Sequence, residues 1–329
     1  MSHLLTDAVF VDQYGKRFRD QCARAGRDLR PLLLPPDIDA RLDAPTLTTI
    51  ELACFIGVWE DDPTFTRRFL GSTLHAPNLK WMHLPNAGVD HPVFAQLLSN
   101  SVRLTTSSGA TAEPIAQSAI AAMLALARGF PSWWAAQRRH EWLPHTQAPA
   151  DLRGQTMVIV GLGTIGNEIA RLAHAVGLRV IGVRRSPRRT HDHVDELVAP
   201  AALSHVVAGA DWLVLACPLT AETRGMIDAA VLAALPRGAR VINVARGQVI
   251  DEAALIVALR EQRLGGAYLD VFEHEPLPVD SPLWDLPNVI VSPHDSSAST
   301  GNSARVAEIF FRNLERWLRR EALENEVTR

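Results

Sequence analysis

The chain has 329 residues, of which 47% are hydrophobic and 21% are charged, and its formal net charge is −3. This length exceeds one ordinary domain, so two domains with sizeable cores are expected. The small net charge, without a basic tail, argues against a general nucleic-acid binder.

The cysteines and the apolar stretches favour a cytoplasmic protein. Cys22, Cys54 and Cys217 have no metal-ligand spacing, and an odd number cannot all pair within the chain, so a reducing compartment is expected. The N-terminus lacks the basic start and apolar run of a signal peptide. The most apolar stretch, 119–127, is shorter than the roughly 20 residues that span a bilayer, so a buried helix is predicted. The histidines show no metal-binding pairing, and no metal is expected.

The first hundred residues have an irregular α/β pattern. Strand-like runs at 54–59 and 80–90 end in turn residues, and 111–130 is predicted to be a long buried helix.

From residue 156 onward, apolar strands alternate with helical segments. Strands are predicted at 156–160 and 178–183 and within 211–220, 240–247, 266–271 and 288–294. Helical spacing is found at 164–177, 251–266 and 299–322. Such alternation is typical of a parallel sheet covered on both faces.

The predicted fold class is therefore α/β, with two Rossmann-like doubly wound domains. Residues 1–105 and 297–329 are expected to form a discontinuous substrate domain. The dinucleotide-binding domain, 106–296, is inserted between them.

The stretch GLGTIG begins directly after a predicted strand and opens a helix. Gly161 permits a tight turn, Gly163 allows a pyrophosphate to approach the backbone, and Gly166 lets the helix pack closely on the strand. The helix N-terminus adds N–H groups and a partial positive charge. We interpret this motif as a dinucleotide site; the alternative is a structural turn.

The end of the second strand carries VRRSPRR where an NAD site has an acid. The next acid is Asp192. A 2′-phosphate carries about −1.5 to −2 charges and suits guanidinium donors. Arg184 and Arg185, with Ser186, therefore predict an NADP(H) preference. The alternative is a solvated basic loop beside a site that binds NAD(H).

Three more strand ends carry polar side chains: Arg246; Asp270 and Glu275; and His294. Singly, each could be a surface charge or a turn residue. Together they match reduction of a 2-keto acid, in which Arg holds the carboxylate, His donates a proton to the developing alkoxide, and an acid orients the imidazole.

The sequence resembles the D-isomer-specific 2-hydroxyacid dehydrogenase family. The resemblance is carried by VIVGLGTIG, LACPLTAETRGMID, LPRGARVINVARGQVIDEAAL, GAYLDVFEHEPLP and NVIVSPH, which follow in family order over roughly 155–295. By resemblance, Arg246, Glu275 and His294 are the catalytic residues, and Asp270 lies near the nicotinamide carboxamide. The family is usually dimeric through its cofactor domains.

The resemblance also implies further site residues. In LPNAGVDH, the backbone N–H groups of Ala87 and Gly88 would bind the substrate carboxylate; Trp59 would line the substrate pocket, or else pack in the core. The aromatic, basic stretch 132–142 resembles an arm that embraces the partner subunit, which is preferred over a nucleic-acid site. Cys217 is expected beside the adenosine, not as a nucleophile. The cofactor site is predicted to comprise Gly161, Gly163, Thr164, Ile165, Gly166, Arg184, Arg185, Ser186, Cys217, Pro218, Thr223, Val244, Ala245 and Asp270.

The sequence thus predicts a cytoplasmic, homodimeric NADPH-preferring reductase of small 2-keto acids such as glyoxylate or hydroxypyruvate. Alternatives within the same fold are a formate dehydrogenase, expected to lack the Glu–His pair, and a short-form phosphoglycerate dehydrogenase. A non-catalytic, dinucleotide-sensing corepressor is the alternative from another class.

Overall fold

The computed structural model describes residues 1–56, 62–86, 88–89, 91–145 and 149–327. The chain divides into two compact units: unit 1 comprises Met1–Ala110 and Ser299–Arg329, and unit 2 comprises Thr111–Ala298. The division falls a few residues after each boundary expected from the sequence. None of the helices among the described residues is long and apolar enough to cross a bilayer. Within the same residues, no three His, Cys, Asp or Glu side chains are grouped as metal ligands.

Unit 1 is built on a five-stranded parallel sheet in the order β2-β1-β3-β4-β5. Its elements before the crossing into unit 2 are β1 (Ser2–Thr6), α1 (Ala8–Arg24), β2 (Leu29–Leu33), α2 (Ala44–Leu47), β3 (Ile50–Cys54), α3 (Pro63–Leu74), β4 (Trp81–Leu84), α4 (Pro92–Ser99) and β5 (Arg103–Thr106). This strand order is one of the common doubly wound arrangements.

Unit 2 is built on a seven-stranded parallel sheet in the order β12-β11-β10-β9-β6-β7-β8. Its elements are α5 (Ala112–Ala127), α6 (Phe130–Arg138), β6 (Thr156–Val160), α7 (Thr164–Ala175), β7 (Arg179–Val183), β8 (Glu196–Val198), α8 (Leu203–Val206), β9 (Trp212–Leu215), α9 (Ala229–Ala234), β10 (Arg240–Asn243), α10 (Glu252–Arg260), β11 (Gly266–Leu269) and β12 (Val289–Val291). The last helix of the chain, α11 (Asn302–Leu318), belongs to unit 1.

Both faces of the unit 2 sheet are covered. Along β6, Val158 and Val160 belong to one buried apolar cluster, whereas Met157 and Ile159 belong to the other. Successive side chains of a strand point to opposite faces, so a strand buried on both sides is apolar throughout. The α/β fold class predicted from the sequence is confirmed.

The strand order of unit 2 reverses direction at β6. Strands β7 and β8 lie on one side of β6, and β9 to β12 extend from the other side. Ligands of open α/β sheets bind beyond the carboxyl ends of the strands at such a reversal. Because the sheet is parallel, the residues after β6, β7 and β9 to β12 emerge along one edge.

Candidate active site

The glycine-rich turn after β6 is required by its backbone packing. Gly161 has φ +96°, and a Cβ there would lie 2.5 Å from the backbone N of Cys217, just after β9. A Cβ on Gly166 would lie 2.0 Å from Gly161 O. By contrast, a Cβ on Gly163 would meet nothing within 4 Å. The turn therefore packs tightly against the sheet and leaves space above Gly163.

The start of helix α7 can bind an anion. Gly163 is its N-cap and supplies no capping side chain, so the amides of Thr164 and Ile165 begin the helix without one. Uncapped N–H groups and the helix dipole favour a negatively charged group. The open space at Gly163 and this helix terminus together fit the pyrophosphate of a dinucleotide.

The segment after β9 closes on itself beside the glycine turn. The hydroxyl of Thr223 donates to Pro218 O at 2.7 Å and accepts from the Thr220 amide at 2.7 Å. Cys217 is buried, and burial raises the pKa of its thiol to about 11. A thiol so protonated at neutral pH agrees with a packing role.

The two arginines after β7 differ in exposure and in their partners. Arg184 is 11% exposed and donates to both carboxylate oxygens of Asp192, at 2.6 and 3.0 Å. Arg185 is exposed and makes no hydrogen bond or ion pair within the described part of the chain. Ser186 is half-buried and its carbonyl accepts from Arg184 Nε at 3.2 Å.

Asn243, the last residue of β10, shapes the turn that carries Arg246. Its fully buried side chain accepts from the Ala245 amide at 3.0 Å and donates to Arg246 O at 3.2 Å. Arg246 is half-buried, and its Nη1 donates to Ala245 O at 2.7 Å. Gly247 follows, and a Cβ there would lie 1.8 Å from the carbonyl carbon of Phe272. The segments that follow β10 and β11 are therefore in backbone contact at this point.

Asp270, directly after β11, anchors the segment after β12. It is 3% exposed, and its Oδ1 accepts from Ser292 Oγ at 2.6 Å and from the amides of Asp295 and Ser296 at 3.0 Å each. Its Oδ2 accepts from Ser296 Oγ, and its carbonyl accepts from the His294 amide at 2.8 Å. The backbone that carries His294 is thus fixed on both sides.

His294 and Glu275 are in direct contact. His294 Nδ1 lies 2.7 Å from Glu275 Oε2, and the other carboxylate oxygen, Oε1, accepts from the Phe272 amide at 3.0 Å. Because a carboxylate only accepts, Nδ1 is the protonated nitrogen in this contact, and Nε2 faces away from it. His294 remains 46% exposed in its side chain, so a small substrate can reach it.

The structure gathers most of the predicted site at one sheet edge. Glu275 and His294 touch, and Arg246 follows the neighbouring strand β10. Val244 and Ala245 are buried in the turn before Arg246. Gly88 lies in unit 1, after β4. Trp59 and Ala87 lie outside the described residues, so their roles stay predictions.

Sequence reasoning missed several residues that build this edge. Asn243 is a polar residue at the end of a buried apolar strand, a signal that could have identified it. Gly247 follows Arg246 and offers no comparable signal. A side chain is excluded there by the backbone of Phe272, which lies in another turn. In the sequence Asp192 is only the first acid after β7, and its pairing with Arg184 is seen in the structure alone.

The chain matches the model of a known protein family. The model described as "D-isomer specific 2-hydroxyacid dehydrogenase, NAD binding domain" matches residues 120–296, more than half of the chain. The chain belongs to this family. It is therefore an oxidoreductase of the NAD(P)-dependent 2-hydroxyacid dehydrogenases, and the family predicted from the motifs is confirmed.

Named relatives and solved structures agree. Glyoxylate/hydroxypyruvate reductase B of Pectobacterium carotovorum is 34% identical over 87% of this chain and 88% of its own length. A D-3-phosphoglycerate dehydrogenase of Methanocaldococcus jannaschii is 33% identical over 77% of this chain and 48% of its own. The structure of a D-isomer specific 2-hydroxyacid dehydrogenase from Xanthobacter autotrophicus in complex with NADPH and MES has a TM-score of 0.73 at 32% identity and covers 99% of this chain and 98% of its own.

Proposed function

We propose that this dehydrogenase is an NADPH-preferring reductase of small 2-keto acids, with glyoxylate or hydroxypyruvate as substrate. The observation that carries the proposal is the contact between His294 Nδ1 and Glu275 Oε2 at the edge of the sheet that also holds the glycine-rich turn. The name of the Pectobacterium relative supports the substrate class.

The proposed mechanism assigns one role to each group. The nicotinamide coenzyme supplies the hydride when bound. Glu275 holds Nδ1 of His294, so Nε2 carries the proton that the developing alkoxide receives. Arg246 holds the substrate carboxylate and polarises the keto oxygen, since a guanidinium donates in a planar fork. The Phe272 amide donates to Oε1 of Glu275, the other carboxylate oxygen, and so keeps this side chain in position.

The residues that follow the strands of unit 2 provide the proposed contacts with the coenzyme. The glycine turn and the start of α7 bind the pyrophosphate, and Val244, Ala245 and the 217–223 segment flank the coenzyme. Both carboxylate oxygens of Asp270 accept hydrogen bonds from the 292–296 segment, the loop that carries His294. We therefore propose that Asp270 acts beside the nicotinamide mainly by fixing that loop.

The NADPH preference rests on Arg185. This exposed guanidinium, beside Ser186, suits a 2′-phosphate, whereas the acid that an NAD site uses on the ribose is absent from the end of β7. Asp192 does not replace it, because its side chain is 1% exposed and paired with Arg184.

We also propose a cytoplasmic homodimer that forms through unit 2. All three cysteines are free and buried, as a reducing compartment allows. Trp134 of α6 is 46% exposed and Trp142 is 98% exposed, so the 132–142 stretch presents apolar area for a second copy.

A panel of keto acids assayed with NADPH and NADH tests the proposal. Glyoxylate or hydroxypyruvate should give the highest kcat/KM, and NADPH should exceed NADH. Arg185→Ala should lower this NADPH/NADH ratio roughly tenfold or more, the effect of about one charge-assisted contact. The exposed Arg260 of α10 provides the control Arg260→Ala, which should leave the ratio unchanged.

The alternatives are outcomes of the same panel. Turnover confined to 3-phosphoglycerate would identify a phosphoglycerate dehydrogenase, as the Methanocaldococcus relative is named. Turnover of formate alone would contradict the role given to the Glu275–His294 pair. Coenzyme binding without turnover of any acid would favour the corepressor alternative.

A further inference from the structure

Arg184 has all of its hydrogen-bond donors engaged inside the protein. A guanidinium carries five N–H groups. Nε donates to Ser186 O at 3.2 Å, and Nη1 donates to Leu162 O and to Asp192 Oδ1 at 3.0 Å each. Nη2 donates to Asp192 Oδ2 at 2.6 Å and to Pro187 O. A phosphate could bind this guanidinium only by breaking one of these five bonds.

These bonds join two separate parts of the predicted coenzyme site. Leu162 lies between the first two glycines of the glycine-rich turn after β6. Ser186, Pro187 and Asp192 belong to the loop that follows β7. The Arg184 side chain therefore ties the loop to the turn.

Asp192 is the second half of this connection. Its side chain is 1% exposed and also accepts from the Arg189 amide at 2.6 Å. The hydrogen bond from Arg184 holds the pKa of this carboxyl below its usual range. The aspartate therefore stays charged and paired, turned into the loop.

The remaining arginines of the loop divide by role. Arg188 Nη2 donates to Val194 O at 2.5 Å and so anchors the far side of the loop. Arg185 is exposed, and within the described residues its side chain has no hydrogen bond. The loop thus uses Arg184 and Arg188 in its own structure and presents Arg185 together with Arg189, which is likewise exposed and without a side-chain hydrogen bond among the described residues.

We propose that Arg184 and Asp192 form a clamp that determines coenzyme preference without touching the coenzyme. The clamp holds the 185–189 loop against the glycine-rich turn, so that Arg185 meets the 2′-phosphate of NADPH. Arg184 is a positioning residue, and Asp192 is its partner. This inference rests on the NADPH preference proposed above.

The variant Asp192→Asn separates this role from direct phosphate binding. If Arg184 were a phosphate ligand, release from Asp192 would strengthen NADPH binding. The clamp predicts the opposite: the Kd for NADPH rises roughly tenfold, since about one charge-assisted contact is misplaced, while the Kd for NADH changes little. Coenzyme affinity is measured by nicotinamide fluorescence on the whole protein, without keto acid.

A matched control comes from the two strands that flank this loop, β7 and β8. Arg179 of β7 and Glu196 of β8 form an exposed ion pair, with side chains 54% and 47% exposed. Glu196→Gln makes the same acid-to-amide change there and should leave both affinities as they are. Equal losses of NADPH and NADH affinity in Asp192→Asn would mean that the pair only stabilises the fold, and would overturn the proposal.

A second variant and a second measurement keep the test decisive if Asp192→Asn folds poorly. Arg184→Lys retains the charge but cannot replace five planar donors. The clamp predicts a lower NADPH/NADH affinity ratio and faster hydrogen exchange at the 185–192 amides, whereas an unchanged ratio would contradict it. If the unaltered protein bound NADPH and NADH equally, the proposed preference would fail. Hydrogen exchange alone would then decide whether the clamp exists.

Discussion

At the scale of single residues, His294 combines a special backbone with a specific partner. Its φ is +55°, in the left-handed region, and its amide is held by Asp270 O at 2.8 Å. Asparagine and histidine enter this region more readily than most residues. In this conformation Nδ1 lies 2.7 Å from Glu275 Oε2, so the proposed proton-donating role involves backbone and side chain together.

Replacing His294 should remove the proton donor and leave the coenzyme site intact. We expect His294→Asn to lower kcat by about 10²–10⁴-fold, the range of general acid catalysis, with an unchanged Kd for NADPH. Asparagine tolerates the left-handed backbone better than alanine, so strain is kept small.

The chain contains a matched control for this substitution. His140 is exposed and also left-handed, at φ +57°. His140→Asn should therefore leave kcat unchanged. A full kcat in His294→Asn would refute the assignment of the proton donor.

The sequence predicted which residues lie together at the candidate site better than it predicted the partners of each side chain. Glu275 and His294 were predicted as partners because each follows a strand of one parallel sheet, and the structure places them in contact. Arg184 and Arg185 looked equivalent in sequence. Arg184 pairs with Asp192, eight residues later, whereas Arg185 is exposed, and a loop closure of that kind has no periodic signal.

At the scale of elements, prediction succeeded where strands are buried on both faces. Strand β6 has the predicted bounds, 156–160. Exact ends were missed where local backbone decides. The helix predicted at 251–266 ends at Arg260, before Gln262 at φ +52°, and the helix predicted at 111–130 breaks at Gly129, φ +74°, before α6.

The first part of the chain was predicted less well. The strand expected at 54–59 is β3, Ile50–Cys54, so only Cys54 is shared, and residues 57–59 lie outside the described residues. Strand β8 was not predicted at all. It has three residues, Glu196–Val198, too few for an alternation to be seen.

In the turn after β10, the close packing of Gly247 against Phe272 leaves no room for a side chain. Gly247→Ala should lower the free energy of unfolding by about 1–3 kcal/mol or more. This is the usual cost of overpacking, and the new Cβ would lie 1.8 Å from the Phe272 carbonyl carbon. The free energy of unfolding and the rate of NADPH oxidation should both fall, since Arg246 and the segment leading to Glu275 adjoin this contact.

Gly209→Ala is the matched control, because a Cβ at Gly209 would meet nothing within 4 Å. Its stability and activity should stay close to those of the unaltered protein. A Gly247→Ala variant as stable and active as Gly209→Ala would contradict the backbone contact between Gly247 and Phe272.

At the scale of the whole molecule, we expect stability in acid to depend in part on one buried histidine in unit 1. His83 is 0% exposed; its Nδ1 lies 2.8 Å from Thr105 Oγ1, and its Nε2 lies 3.0 Å from Ser107 Oγ. Burial lowers the pKa of His83 to about 3 from the ordinary 6.5. Between these pH values the unfolded chain binds a proton that the folded chain does not.

Folding stability should therefore fall as pH drops below 6.5, with a contribution from His83 of up to about 1.4 kcal/mol per pH unit. His83→Gln removes this group and can still accept and donate a hydrogen bond. Denaturant unfolding at pH 7 and pH 5 should show a smaller loss of stability in the variant than in the unaltered protein. Equal losses would show that His83 is not the group that titrates.

We propose that one edge of the unit 2 sheet positions NADPH and a 2-keto acid for hydride transfer from the coenzyme, with His294 as the proton donor. The most direct test of this claim is the stoichiometry of NADPH oxidation on addition of hydroxypyruvate, followed at the reduced-nicotinamide absorbance with chiral analysis of the product. We predict one D-2-hydroxy acid formed for each NADPH consumed. NADPH that binds to the protein and is not oxidised by hydroxypyruvate, glyoxylate or any other 2-keto acid would contradict the claim.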